Sequence, residues 1–444
     1  MTANASDVVP VTGPYRLLGH PVDLAGHLAA LGPLPVPPSR SGSQAAEWRA
    51  ALIRLLEASG LTGRGGAAFP ASIKLAVARA GGGGGLVVVN GMEGEPASDK
   101  DKLLLLRAPH LVLDGAQILA AACGATEVMV CVPRGREQVA GAVAAALDER
   151  SARAHGVVPE ILVRPPDRFV AGEESALAAW IDSGRSLPAF RPEKGTALRI
   201  GKRPALVHNT ETLAHVAMIA RHGPEQFRRH GMVEEPGTTL ITISGAVAHP
   251  GVVEVDRGTP LRDLVARAGP WDEPQALLIG GYGGTWVGPE HFMTPYASLS
   301  LRMIGATAGV GIVVVLGPGS CGVAESAAIA RYMAGQSSGQ CGPCVFGLPA
   351  VADDLTRLAW GPADPGLGAR LTRRLSEVNG RGGCRHPDGV VTMVRSALAV
   401  FGADVAAHAE GAPCGRQHNP SVLRFPAPDV GAAPVGMAAG AAVA

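Results

Sequence analysis

Residues 86–90 read LVVVN, four apolar side chains in a row and then a polar one. A strand that is apolar on both faces must be covered by helices on both faces, which is the condition of a strand inside a parallel sheet. The neighbouring segments keep the same rhythm. Helical spacing runs through Trp48, Leu52, Leu55 and Leu56 over Ala45–Ser59, and helices are expected over His110–Cys123 and Gln138–Ala154. Short strands are expected over Glu127–Val132 and Glu160–Val163. Strand–helix–strand alternation of this kind specifies an α/β layer, here a Rossmann-like one.

The chain has 444 residues, 47% of them hydrophobic and 17% charged, with a formal net charge of +1. That length allows two or three domains with separate cores. Basic residues are scattered, so nothing directs the chain to nucleic acid. Only 4% of residues are aromatic, so the cores have to be built from Leu, Val, Ile and Ala. The first eighteen residues lack a basic segment followed by an apolar one, the mark of a signal peptide. No apolar run approaches the ~18 residues needed to span a bilayer. The expected setting is cytoplasmic and reducing, with any membrane association made through partners. In such a setting, clustered cysteines bind metal more often than they pair.

Changes of texture divide the chain. Residues 1–44, rich in Pro, Gly and Ser, read as a loose N-terminal arm, and 45–235 as the α/β domain. Gly81–Gly85 reads as a flexible loop. Residues 236–310 hold two strands around an HPG turn and then a helix starting at Thr259-Pro260, a β-grasp pattern. Residues 311–408 turn helical and hold most of the cysteines. Residues 409–444 are Pro-, Gly- and Ala-rich and read as a disordered tail.

Two elements carry chemistry. GRGGAAFP, residues 63–70, places small residues directly before a helix bearing Lys74. Such a turn lets backbone N–H groups at the helix start face an anion, although by itself it would serve equally as a tight packed turn. It is neither a Walker loop nor a dinucleotide fingerprint. NGMEGEP at 90–96 puts Asn90, Glu93 and Glu95 past the end of the LVVVN strand, where open α/β sheets bind ligands. AGEE at 171–174 and HNTET at 208–212 add polar groups at two helix starts, where ordinary capping is the competing explanation.

The second element is GQCGPCVFG followed by GGCRHPDG, giving Cys341, Cys344 and Cys384. CxxC with a distant third cysteine is a metal or cluster framework. A zinc ion with His386 as a further ligand, or a simple thiol pair, would use the same residues. Cys123, Cys131 and Cys321 are expected as small core residues, and Cys414 falls in the tail.

Taken together and in this order, these segments resemble the NADH-binding flavoprotein subunits of respiratory complex I and the related diaphorase subunits of NAD-linked hydrogenases and formate dehydrogenases. The resemblance runs from about residue 45 to 402. It implies a Rossmann-like FMN domain, an SLBB-type β-grasp module and a helical bundle holding a 4Fe-4S cluster. Gly63, Gly65, Gly66 and Lys74 match the loop that cradles the FMN phosphate. Asn90, Glu93, Gly172, Glu173, Glu174, Asn209 and Thr212 match the rest of the flavin pocket. Phe69, Glu95 and Glu174 match groups that face NADH. Cys341, Cys344 and Cys384 match three cluster ligands, and Ser338 stands where the family has the fourth cysteine. The resemblance further implies hydride transfer from NADH to the flavin, with electrons passing singly to the cluster and then to an iron–sulfur or ferredoxin-like partner or a quinone reductase. No side chain is implied as nucleophile or general acid.

Three departures bear on that expectation. Met92 replaces a family aspartate, Val77 replaces a second pocket aromatic, and a third aromatic has no match near Phe190–Lys194. Each lost stacking pair removes about 0.5–1.5 kcal/mol beyond area burial. Two other readings therefore stay open: an FMN and iron–sulfur subunit using a donor other than NADH, and a scaffold of the same fold depleted of cofactors.

Overall fold

The computed structural model describes residues 16–82, 84–190 and 197–426. The chain enters through α1 (Leu24–Leu31), α2 (Ser43–Ser59) and α3 (Ala71–Ala80). The α/β layer follows as β1 (Leu86–Asn90), α4 (Lys100–Arg107), α5 (Pro109–Cys123), β2 (Glu127–Cys131), α6 (Glu137–Ala152), β3 (Glu160–Val163), α7 (Glu174–Ser183), β4 (Leu198–Ile200), β5 (Arg203–Asn209) and α8 (Thr210–Arg228). The strands lie in the order β3-β2-β1-β5-β4, parallel except for the β4–β5 pair.

The continuous apolar run of β1 is used as expected. Val87 and Val89 point into a core shared with Leu52, Leu75, Leu111 and Leu213, while Leu86 and Val88 point into a smaller one shared with Leu177 and Ala178. A two-residue period thus feeds two helical layers from one strand.

The second sheet comprises β6 (Thr238–Gly245), β7 (Gly251–Asp256), β8 (Ala276–Ile279), β9 (Thr285–Val287) and β10 (Ile312–Leu316). Its order is β7-β6-β10-β8-β9, with α9 (Leu261–Ala268) against one face. The central strand, β10, is parallel to β6 and antiparallel to β8. A module boundary at 310 therefore falls short: the short apolar run 312–316 belongs to the sheet, not to the helical region. The opposite face, through Leu278, Val314 and Trp286, packs on the bundle of α10 (Gly322–Gly335), α11 (Leu348–Trp360), α12 (Leu367–Val378), α13 (His386–Val400) and α14 (Gly402–Ala409).

Residues 16–44 and 410–426 are more ordered than their composition suggests. Residues 16–44 are not a loose arm: Leu17 is fully buried and its N–H donates to Glu254 Oε2 at 2.8 Å, while His27 meets the buried Asp114 at 2.9 Å. At the other end, residues 410–426 pack back on the protein. Ser421 Oγ and the Val422 N–H donate to Glu325, and Phe425 packs against Tyr282 and Tyr332. A few specific polar anchors outweigh low-hydrophobicity composition in both places. The carbonyls of Gly84 and Gly85 accept from Arg203, so these glycines of the 81–85 run are fixed as well. Residues 1–15, 83, 191–196 and 427–444 lie outside the described residues.

Candidate functional site

Strand order reverses between β1 and β5, and the C-terminal residues of these neighbours, Asn90 and Asn209, are paired in register. A crevice at such a point is where open α/β sheets bind ligands. Asn90 Nδ2 donates to the Gly172 carbonyl at 2.9 Å, tying the strand end to the GEE segment. Asn209 caps α8, its Oδ1 accepting from the Glu211 N–H at 3.0 Å and from Lys100 Nζ at 3.2 Å.

The glycine-rich turn closes this crevice. The Gly63 N–H donates to the Phe69 carbonyl, and the Arg64 N–H to Thr212 Oγ1 at 2.9 Å. Gly66 has φ +106°, and a Cβ on Gly65 would come within 3.3 Å of Asn209 Cβ. The first needs glycine for its backbone angle and the second for close approach. Residues 64–67 close a hydrogen-bonded turn, while the N–H groups of Gly65, Gly66 and Ala67 make no hydrogen bond of normal length to the described residues. Lys74 Nζ, half-buried beside the turn, donates to Glu174 Oε2 at 3.0 Å and to the Val207 carbonyl at 2.6 Å. His208 is buried, and its Nε2 has no partner among the described residues. Burial, and then the charge of Lys74, holds its imidazole well below the usual histidine range. Unspent N–H groups, an ammonium and an orphaned imidazole nitrogen make a donor set suited to a phosphorylated, ring-bearing ligand.

The remaining acidic residues divide by occupation. The Glu93 carboxylate accepts from Ser98 Oγ and from the Asp101 and Lys102 N–H groups at the start of α4, so its side chain is a cap. Glu173 caps α7 through the Ala176 N–H and holds Ser175 Oγ. Glu95 is different. Oε2 accepts from the Tyr282 N–H at 3.0 Å, Oε1 is buried without a partner among the described residues, and burial pushes the group up to about 7. Phe69 is 45% exposed and Val77 half-buried. Met92 is turned into the smaller core beside Ala171 and Leu177, so its thioether fills interior space rather than facing the crevice.

Beneath the crevice lies a buried charged network that the motif reading missed. Lys100 Nζ is 2.8 Å from Asp101 Oδ1 and 2.9 Å from Glu211 Oε2, and Arg64 approaches Glu211 Oε1 at 3.8 Å. Glu211 Oε1 also accepts from Thr239 Oγ1 and the Leu240 N–H, joining the α/β domain to β6. The SDKDK run, charged yet followed by LLLLR, was the available signal. A cavity of about 170 Å³ on this side of the turn is lined by Arg64, Gly66, Ala68, Arg257, Tyr296 and Arg302. It is smaller than the ~300–1,000 Å³ of small-molecule sites, and neither Lys74 nor His208 lines it.

The cysteines converge at the far end of α10. Cys344 is buried in a π-helical turn over Pro343–Gly347, with Cys341 one turn before it. Burial, then the neighbouring Cys341 and Cys384, push the Cys344 thiol up to about 12. The Gly339 N–H points at its sulfur, which brings the Ser338–Gly339 segment alongside. Cys341 and Cys384 both act on the Cys344 thiol, so the three cysteines lie close together. His386 is occupied elsewhere: Nε2 bonds the Met333 carbonyl at 2.8 Å and the ring packs edge-on against Phe169. Its Nδ1 is buried without a partner among the described residues.

Three family models match in chain order: the Nuo51 FMN-binding domain over residues 56–218, the SLBB domain over 240–277, and the NADH-ubiquinone oxidoreductase-F iron–sulfur binding region over 324–408. The chain carries these three domains, and its relatives are named as F subunits of NADH-quinone oxidoreductases. Among its relatives, the NADH-quinone oxidoreductase F 2 subunit of Rhizobium meliloti (strain 1021) is 29% identical over 381 residues, 82% of this chain and 90% of that one. The corresponding F subunit of Mycobacterium tuberculosis (strain ATCC 25618 / H37Rv) is 29% identical over 380 residues, 82% of this chain and 85% of that one. An NAD+-reducing [NiFe]-hydrogenase in the H2-reduced state superposes with a TM-score of 0.74 at 28% identity, over 84% of this chain. The chain spans 65% of the length of that hydrogenase chain.

The FMN-binding domain and the iron–sulfur binding region make FMN and a 4Fe-4S cluster the cofactors of this chain. The residues fit both groups. The unspent N–H groups of the glycine turn, Lys74 and His208 Nε2 suit a flavin nucleotide. The three neighbouring thiols of Cys341, Cys344 and Cys384 suit an iron–sulfur cluster. No single helix among the described residues is long and apolar enough to cross a membrane.

Proposed function

We propose that this chain is the NADH-oxidising subunit of a larger electron-transfer assembly, binding FMN in the β1–β5 crevice and a 4Fe-4S cluster between the 338–347 loop and Cys384. The observation that carries this reading is the glycine turn at the strand switch point: the N–H groups of Gly65, Gly66 and Ala67, flanked by Lys74 and by His208 Nε2. FMN accepts two electrons at once and releases them singly, and the cluster takes them one at a time. The protein's part is to bind, orient and exclude water. Gly63, Gly65 and Gly66 admit the phosphate and Lys74 neutralises it. Gly172, Asn90, Asn209 and Thr212 shape the crevice; Glu93 and Glu173 contribute by fixing the helix starts that wall it. Phe69 offers a ring to the dinucleotide, and Glu95 and Glu174 orient its nicotinamide and ribose.

Cys341, Cys344 and Cys384 would hold the cluster, and the Ser338 oxygen would be the candidate fourth ligand. A serine oxygen is a harder ligand than thiolate and lowers the cluster's stability. Val345 and Phe346, 46% and 74% exposed next to Cys344, form the surface on which an iron–sulfur or ferredoxin-like partner docks. The cytoplasm is the compartment this reading requires, because NADH and thiolate ligands are both found there.

A second reading is favoured by one observation. Phe69 stands alone, with Val77 where a second ring would lie, so the donor could be reduced ferredoxin rather than NADH. Anaerobic addition of NADH to the FMN-loaded protein separates the two. Bleaching of the flavin bands at a few equivalents supports the first reading, and bleaching by dithionite alone supports the second.

A further inference from the structure

Cys321, His408 and Cys414 come together although they lie far apart in sequence and outside both cofactor sites. Cys321 is the N-cap of α10, and its sulfur accepts from the Ala324 N–H at 3.4 Å. His408 lies in the last turn of α14, and Cys414 follows in the segment that returns over the bundle. His408 Nε2 is 3.6 Å from Cys321 Sγ and 3.4 Å from Cys414 Sγ, and all three ligand atoms lie within 4.8 Å of one another. Cys321 and His408 are buried and Cys414 is half-buried.

The histidine's other nitrogen settles its tautomer. His408 Nδ1 is 3.2 Å from the Leu358 carbonyl, which can only accept, so Nδ1 carries the proton and Nε2 presents a lone pair toward the two sulfurs. A backbone carbonyl on the second ring nitrogen is the arrangement that orients metal-ligating imidazoles. The competing backbone donor to Nε2 is the Cys414 N–H, at a long 3.4 Å.

The site is separate from the cluster. Cys321 begins α10 and the CxxC pair follows its end. That helix has 14 residues, about 21 Å at 1.5 Å per residue. Cys414 is thus held at the opposite end of the bundle from Ser338, and Cys321, a buried core residue as expected, sits beside it.

We propose that Cys321, His408 and Cys414 bind a single soft divalent cation, zinc by preference, as a structural site that fastens the C-terminal segment to the bundle. Two thiolates and one neutral imidazole are a zinc donor set. Binding would release two thiol protons to solvent and require no oxidant. The nearest further donor oxygen is Gln417 Oε1, 3.8 Å from Cys414 Sγ. A Cys321–Cys414 disulfide would leave the imidazole between the sulfurs without a purpose and needs a two-electron oxidant. The tie has a reach: the segment it anchors runs on to Arg424, paired with Asp99 at 2.7 Å, and to Phe425 against Tyr282, whose N–H holds Glu95.

The test is metal analysis of the full chain, purified anaerobically and dialysed against micromolar zinc. About one zinc per chain is expected in the unmodified protein and in Cys341→Ser/Cys344→Ser, and less than a fifth of that in Cys414→Ser or His408→Gln. Because Cys321 caps a buried helix, its variants are avoided, and circular dichroism checks the fold of the others. Cobalt in place of zinc should give intense thiolate-to-metal charge-transfer bands in the unmodified chain, a second readout that needs no variant. Zinc retained by Cys414→Ser, zinc lost with Cys341→Ser/Cys344→Ser, absence of the cobalt bands, or a Cys321–Cys414 disulfide in metal-free protein would each overturn the proposal.

Discussion

Lys74 Nζ lies 3.0 Å from Glu174 Oε2, and this pair bridges the glycine-turn helix and the GEE helix across the mouth of the crevice. The two side chains are 25% and 29% exposed, so the ammonium is screened but reachable. A phosphate entering beside the turn would find a cation already aimed and only loosely held by its carboxylate.

Lys74→Ala should therefore weaken FMN binding. A hydrogen bond to a charged group contributes ~1.5–3 kcal/mol, so the Kd should rise by about 10- to 100-fold. Flavin fluorescence quenching measures this directly. Unchanged affinity would remove Lys74 from the phosphate site.

Glu95 gives a pH signature. Burial raises its carboxyl from 4.5 in the unfolded chain to about 7 in the folded one. Between those values the folded state holds the extra proton, so the contribution of Glu95 to stability falls as pH rises from about 4.5 to about 7 and then levels. Glu254, also pushed up to about 7 by burial, acts in the same window and direction. Comparing Glu95→Gln with the unmodified protein isolates one from the other. The variant should lose less Tm between pH 5 and 8, by a few degrees. Parallel Tm profiles would show that Glu95 does not titrate there.

Glu211→Ala should be far more costly than a surface change. It leaves Arg64 and part of the Lys100 charge buried without a counter-ion and cuts the bonds to Thr239 and Leu240. Removing one partner of a buried pair costs about 3–5 kcal/mol. Urea denaturation should show that loss, and a loss below about 1 kcal/mol would mean that the network is not what joins the α/β domain to β6.

Ser338→Cys should raise the iron and sulfide recovered after anaerobic reconstitution toward four of each per chain. It should also convert any three-iron signal seen by EPR in the unmodified protein to a four-iron one. No change in iron content would mean that Ser338 is not at the fourth corner.

Much of this architecture was readable in the sequence because it rests on local rules. The apolar run of β1, the HPG hairpin and the CxxC spacing each specify geometry within a few residues. What was not readable depends on long-range pairing. The run 312–316 looked like an isolated apolar stretch until β6 and β8 flanked it. The Glu325 anchors that order residues 421–422 lie nearly a hundred positions away. Cys321, His408 and Cys414 have no motif spacing, and only the packing of α10 against α14 unites them.

The most direct test of the central claim is EPR of the FMN- and iron–sulfur-reconstituted chain after anaerobic mixing with NADH. Electron transfer from NADH through the flavin predicts the signal of a reduced 4Fe-4S cluster together with loss of the flavin absorption bands, both prevented in Cys341→Ser/Cys344→Ser for the cluster and in Lys74→Ala at limiting FMN for the flavin. Flavin bands that bleach and a cluster signal that arises only with dithionite, never with NADH, would contradict it.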